Sequence, residues 1–318
     1  MQQAAFDALG VAARYELWDT PLDQVAAQVA RLREPGYLGA NVTIPHKAAV
    51  IPYLDAISPQ ARALAGVVNT ITREETPAGI RLIGHNTDVL ALVHLLDEQQ
   101  AGHGPADAPV EASSIAESTP LAPADQIGKL HALNARTGMV GQAGRLLILG
   151  AGGAAQAALG AALLRGMEPW VAARRPAAAR EALAALYARQ PDASLLPSDW
   201  QAHALDLNDA EALGQALRAT RVLVNATPLG TRDPDAAPLP SALLRLLPEE
   251  AFMLDMVYNP PETALVRAAR ALGRRASGGF DMLLYQGAAA FTLWTGQSAP
   301  VAVMRAALNA SLAQRAPA

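Results

Sequence analysis

The chain contains no cysteine, which excludes disulfides and thiolate metal sites and agrees with a reducing cytosol. Its six histidines show no ligand spacing, so no bound metal is expected. Positive charge is in short supply: 25 Lys and Arg against 29 Asp and Glu leave a formal net charge of -4, without the broad basic surface that a nucleic-acid partner requires. No apolar run approaches the roughly 20 residues that cross a bilayer. No charged segment followed by an apolar one opens the sequence. These absences lead us to expect a soluble, unexported, cytoplasmic protein with neither nucleic acid nor membrane as partner. What is present is ordinary globular composition, 51% apolar and 17% charged over 318 residues, long enough for two domains.

Two segments place an ionisable residue where a helix is expected to start. In Asn41-Val42-Thr43-Ile44-Pro45-His46-Lys47, Pro45 suits the first helical position, because its missing N–H is not needed there. Lys47 then falls in the first turn, where a cation is unfavourable by roughly 0.3 to 1 kcal/mol. Folding alone would not select lysine here, although an exposed lysine snorkelling into solvent also fits. In Gly84-His85-Asn86-Thr87-Asp88, either Thr87 or Asp88 would cap the apolar-periodic helix that follows. A lysine and a carboxylate so placed make a candidate proton-transfer pair. His46 and His85 invite a proton-shuttle role, but local packing explains both.

Arg145 to Leu149 reads as a buried strand, and Gly150-Ala151-Gly152-Gly153-Ala154-Ala155 follows it directly, leading into an alanine-rich helix. That is strand, Gly-x-Gly-x-x-Ala turn, helix: the glycines permit close backbone approach, and the helix N-terminus offers free N–H groups to a pyrophosphate. The next strand, Pro169 to Ala173, lacks the acidic residue that would hold the ribose hydroxyls of NAD. Arg174-Arg175 stands there instead and would pair with a 2′-phosphate, favouring NADP.

With these pieces in order, the sequence resembles the shikimate dehydrogenase family. Seven ordered blocks carry the resemblance: Asn41 to Lys47, Gly66 to Thr70, Gly84 to Asp88, Gly150 to Ala154, Val224 to Gly230, Asp255 to Pro260, and Gly279 to Gly287. The resemblance implies an NADP-dependent oxidoreductase that interconverts 3-dehydroshikimate and shikimate in aromatic amino-acid biosynthesis. By the same resemblance Lys47 and Asp88 are the catalytic pair, and Thr43, Asn69, Asp88, Tyr258 and Gln286 contact the substrate. Gly150, Ala151, Gly152, Gly153, Ala154, Arg174, Arg175, Met256 and Gly279 face the cofactor, with Thr227 a further residue of that cleft. The family pattern opens with a strand and a Ser-x-Ser turn that grips the substrate carboxylate. Here Met1 to Gly10 already reads as the helix that follows, ending at a glycine, and the chain has no Ser-x-Ser. The sequence is therefore expected to begin inside the family pattern, through a misplaced start or in a degenerate relative.

The expected fold class is α/β: an N-terminal α/β catalytic domain over residues 1–98, and a Rossmann-like, doubly wound NADP-binding domain over 144–278. Between them, residues 99–143 are rich in Ala, Pro, Ser and Gly and read as a disordered insertion, with one possible helical turn at 127–133. Residues 279–318 are expected to be helices that return to the catalytic domain. Strands are expected at 11–17, 39–44, 67–71, 146–149, 170–173, 222–225 and 252–255, and helices at 25–32, 282–294 and 301–314. The substrate is a small molecule, and the protein is a monomer or homodimer. The alternatives are a quinate/shikimate-type paralogue and a non-catalytic NADP-binding relative.

Overall fold

The computed structural model describes residues 1–100, 143–190 and 199–313. The expected insertion, with its candidate turn at 127–133, lies outside the described residues except at its two ends. The chain opens with α1 (Gln2–Ala8). Gly10 adopts φ +64°, and the Gly10 and Val11 amides donate to the Asp7 and Phe6 carbonyls, which satisfies two orphan acceptors of the helix end. The expected strand at 11–17 does not pair. Its exposure alternates as the period-two pattern implies, but the Tyr15 amide donates to the Gln3 side chain rather than to another strand. Alternation reports a half-buried extended chain; it does not supply a partner.

After α2 (Val25–Arg31) come β1 (Gly39–Asn41), β2 (Ala56–Ile57), β3 (Thr70–Thr76) and β4 (Gly79–His85). They form a sheet ordered β1-β3-β4-β2, in which β3 and β4 are an antiparallel hairpin and β2 joins β4 in parallel. The hairpin partner β4 was not foreseen, and the strands expected at 39–44 and 67–71 are respectively shorter and displaced. Val25, Val29, Leu32, Val68, Ile71 and Leu82 close the core on one face of this sheet. From β4 the chain enters α3 (Thr87–Gln100).

The second sheet is built from β5 (Arg145–Leu149), β6 (Glu168–Ala173), β7 (Ala204–Asp206), β8 (Thr220–Asn225), β9 (Phe252–Asp255) and β10 (Arg275–Ser277). All neighbours are parallel, in the order β10-β9-β8-β5-β6-β7. Apolar residues alternate between its faces. Leu146, Ile148, Val222, Val224 and Leu254 pack beneath α4 (Gly153–Leu164) and α5 (Pro176–Ala188). Leu147, Leu149, Leu223 and Met253 face α6 (Ala210–Arg218) and α8 (Ala264–Ala271), with the short α7 (Ser241–Leu244) alongside. Burial on both faces is why these strands read as continuous apolar runs, and helices on both faces make the sheet doubly wound.

The chain ends with α9 (Gly279–Thr295) and α10 (Val301–Ala313). The Trp294 indole N–H donates to the Ile71 carbonyl at 3.0 Å and the Tyr285 hydroxyl to Glu98 at 2.9 Å. Helix α9 therefore bonds to β3 at one end and to α3 near the other.

Candidate functional site

The three N-terminal blocks meet through backbone bonds. Val42 N–H donates to the Asn69 carbonyl, Asn69 N–H to that of His85, and Val68 N–H to that of Lys47. The last bond corrects the sequence reading. Residues 44–50 form consecutive turns rather than an α-helix, and the carbonyl a helix would use at Lys47 is taken by Val68, in the segment that leads into β3. Lys47 is therefore placed by a run of turns bonded to that segment rather than by a helix start. The second helix start is real but displaced: Asn86, not Thr87 or Asp88, caps α3, its Oδ1 accepting from Val89 N–H at 3.1 Å. Asp88 lies in the first turn, where the helix dipole favours a carboxylate.

Lys47 Nζ and Asp88 Oδ2 lie 2.6 Å apart, with 18% and 10% of their side chains exposed. Asn69, fully buried, fixes the geometry behind them. Its Oδ1 accepts from Thr87 N–H at 2.7 Å, and its Nδ2 donates to Thr87 Oγ1 at 3.0 Å, so the residue before β3 is tied to the start of α3 by two bonds. Asn41 Nδ2 donates to Thr70 Oγ1, and Asn41 Oδ1 accepts from the Tyr15 hydroxyl. This polar chain was not anticipated, because its members are far apart in sequence. His85 contacts Thr72 Oγ1 through Nε2 at 3.0 Å, and burial pushes its imidazole down to about 4. Neutral and tied into the hairpin, it matches the packing alternative.

Thr43 is exposed two residues beyond β1. Gln286 is half-buried in α9, where its Nε2 donates to the Leu283 carbonyl. It sits between the two ends of the helix that joins the second sheet to β3. Tyr258, 45% exposed, follows β9. No bond connects Thr43, Gln286 or Tyr258 to the Lys47–Asp88 pair among the described residues.

The remaining candidates gather at one edge of the second sheet. Since its strands are parallel, the residues after β5, β6, β8, β9 and β10 line the same side, and the order reverses between β5 and β8, where ligands bind in such sheets. Gly150 stands at that reversal with φ +103°. A Cβ there would lie 3.1 Å from Thr227 Cγ2 and 3.2 Å from the Ala226 carbonyl, so glycine is required for both conformation and space.

A family model described as the shikimate dehydrogenase substrate binding domain matches residues 1–71, and one described as the shikimate 5'-dehydrogenase C-terminal domain matches residues 279–308. The shikimate dehydrogenase (NADP(+)) of Moorella thermoacetica is 38% identical over 98% of this chain and 88% of its own length. The chain belongs to the shikimate dehydrogenase family. The corresponding enzyme of Thermus thermophilus is 35% identical over 93% of this chain and 86% of its own length. A crystal structure of shikimate 5-dehydrogenase from that organism, in complex with NADP(H) and shikimate, superposes with a TM-score of 0.69 at 32% identity, covering 98% of this chain and 92% of that one.

The residues at the sheet edge fit the dinucleotide that the family implies. Apart from its chain neighbours and the helix backbone, a Cβ built on Gly152 or Gly153 meets no described atom within 4 Å, and no side chain caps α4. An uncapped helix start with open space beside its glycines fits a pyrophosphate. Ala151 and Ala154 flank this turn. Arg174 and Arg175 are exposed at the end of β6, and neither guanidinium has an ion-pair partner among the described residues. At Gly279 a Cβ would lie 2.5 Å from the Met256 carbonyl oxygen, so the start of α9 presses against the loop after β9 with room only for glycine.

Proposed function

We propose that this protein catalyses the NADP-dependent, reversible reduction of 3-dehydroshikimate to shikimate, acting in the cytoplasm as a monomer or homodimer. The observation that carries the reading is the Lys47–Asp88 pair at 2.6 Å, within a full-length likeness to NADP-dependent shikimate dehydrogenases. Neither residue is needed to bind a dinucleotide, so keeping both points to chemistry.

When bound, NADPH supplies the hydride. As the ketone carbon is reduced, negative charge grows on its oxygen; the Lys47 ammonium neutralises that charge and donates the proton. In the reverse direction the neutral amine accepts the hydroxyl proton. Asp88 orients the ammonium and accepts a hydrogen bond from the substrate hydroxyl, work of positioning as much as of acid–base chemistry. Thr43, Asn69, Tyr258 and Gln286 hold the substrate. Asn69 has its amide oxygen and one amide hydrogen committed to Thr87, so its part is carried by the second amide hydrogen. The turn from Gly150 to Ala154 would receive the pyrophosphate and Arg174 and Arg175 the 2′-phosphate, and Met256 and Gly279 would face the cofactor. Residues 1–98 supply the substrate side and 144–278 the cofactor side, and the segment from 279 onward returns to the substrate side.

The test is NADPH formation from shikimate and NADP+, followed by absorbance, with quinate and NAD+ as competing substrate and cofactor. Turnover of shikimate with NADP+ supports the reading. Preference for quinate, or NADPH binding without turnover of either polyol, would replace it with one of the alternatives.

A further inference from the structure

Asp255, at the end of β9, is completely buried and no step above uses it. Its Oδ1 accepts from Asn225 Nδ2 at 2.8 Å and from Val257 N–H at 3.0 Å, and its Oδ2 accepts from the Thr263 hydroxyl at 2.6 Å. Three donors thus converge on one carboxylate: one from β8, one from the loop that directly follows Asp255, and one from the start of α8. Through the first, Asn225 Oδ1 accepts from Thr227 N–H and Oγ1 at 3.0 and 2.7 Å, and this sets the Thr227 loop against Gly150. Through the second, Val257 is fixed; its carbonyl accepts from Gly279 N–H at 3.0 Å, so the loop carrying Met256 is bound to the start of α9. Through the third, Thr263 Oγ1 in turn accepts from Val266 N–H and caps α8.

A buried carboxylate is a costly way to close a core, since burial penalises the charged form. That burial raises the Asp255 pKa against the pull of its three donors. Apolar side chains would pack these segments as well. What a carboxylate adds is directional acceptance from several donors at once, and the loops it joins are those at the sheet edge described above. We propose that Asp255 is a positioning residue for the cofactor, holding the Thr227 loop and the Met256–Gly279 wall in register with the Gly150 turn. This rests on the reading of that edge as the NADP site.

The experiment is a fluorescence titration of NADPH, with KM values for NADP+ and shikimate measured well below the melting temperature. Asp255→Ala is expected to weaken NADPH binding and raise the NADP+ KM by at least about tenfold, while the shikimate KM changes by less than about twofold. Asp255→Asn, which keeps Oδ1 as an acceptor, should recover most of that loss. Asn225→Ala, which cuts only the Thr227 arm, should fall between and serves if Asp255→Ala does not fold. NADPH affinity within about twofold of wild type in either alanine variant, or equal rises in both KM values, would overturn the proposal. The titration does not need turnover, so a wild-type protein that binds NADPH but leaves shikimate untouched counts against the proposed activity and not against this role.

Discussion

Lys47 Nζ rests 2.6 Å from Asp88 Oδ2 across 41 residues of sequence, and the elements that bring them together differ in kind. Asp88 is delivered by a capped helix start, Lys47 by a run of turns bonded to Val68 in the segment before β3. For an ion pair this buried, the desolvation of both charges offsets much of their attraction, so the pair is poorly explained as a stabilising device. Lys47→Ala should lower kcat by roughly 100-fold or more with a modest change in KM, the size expected for general acid–base catalysis. Asp88→Asn should also lower kcat, because the amide keeps the shape and loses the charge that orients the ammonium. Steady-state kinetics of shikimate oxidation checks both, and a Lys47→Ala variant with wild-type kcat would remove the lysine from the chemistry.

The two arginines after β6 should act on one phosphate and on little else. Replacing Arg174 and Arg175 with alanine is expected to weaken NADPH by about 1.5 to 3 kcal/mol per lost charge-assisted hydrogen bond and to leave NADH nearly unchanged. Parallel titrations with the two cofactors decide it. Equal losses for both would make the arginines structural.

Helix α4 and the π-helical turn Ala61–Ala65 approach closely because residue 160 has no side chain. A Cβ on Gly160 would lie 2.8 Å from Leu64 Cβ and 3.1 Å from the Leu64 carbonyl, where both backbones are held by regular structure and neither yields easily. Gly160→Ala should therefore cost about 1 to 3 kcal/mol through overpacking, although alanine is the better helix former. Urea denaturation measures the loss; a gain in stability would mean that the contact relaxes.

Stability should depend on pH through His85. Its imidazole ordinarily titrates near 6.5 and is pushed by burial to about 4 in the folded protein. Between these values the unfolded chain binds the extra proton. Stability from this group is thus complete above about pH 6.5 and is lost as pH falls towards 4, by up to roughly 3 kcal/mol. His85→Gln keeps a polar partner for Thr72 and removes the titration. Urea unfolding from pH 7 to 4 should show a steeper decline for wild type than for the variant; superimposable declines would assign the acid sensitivity to other groups.

Local chemistry determined much of this protein before any contact was known. The apolar runs at 146–149, 222–225 and 252–255 had to be buried strands, and Gly150 had to mark a turn that backbone conformation and close approach reserve for glycine. The Arg174-Arg175 pair and the Lys47 and Asp88 blocks could be read as chemistry, because side-chain type alone limits what they do. What the sequence could not decide was anything that depends on a partner. The 11–17 segment alternates like a strand yet has no strand beside it among the described residues, whereas Gly79–His85 became a strand by pairing with Thr70–Thr76. Pro45 looked like a helix start until the Val68 amide claimed the Lys47 carbonyl. Asp255 was one letter of a motif, and only the donors from β8 and from Thr263, added to that of its own loop, make it a hub. Periodicity and turn chemistry act over a few residues, but a hydrogen bond between distant segments exists only once the whole chain has brought them together.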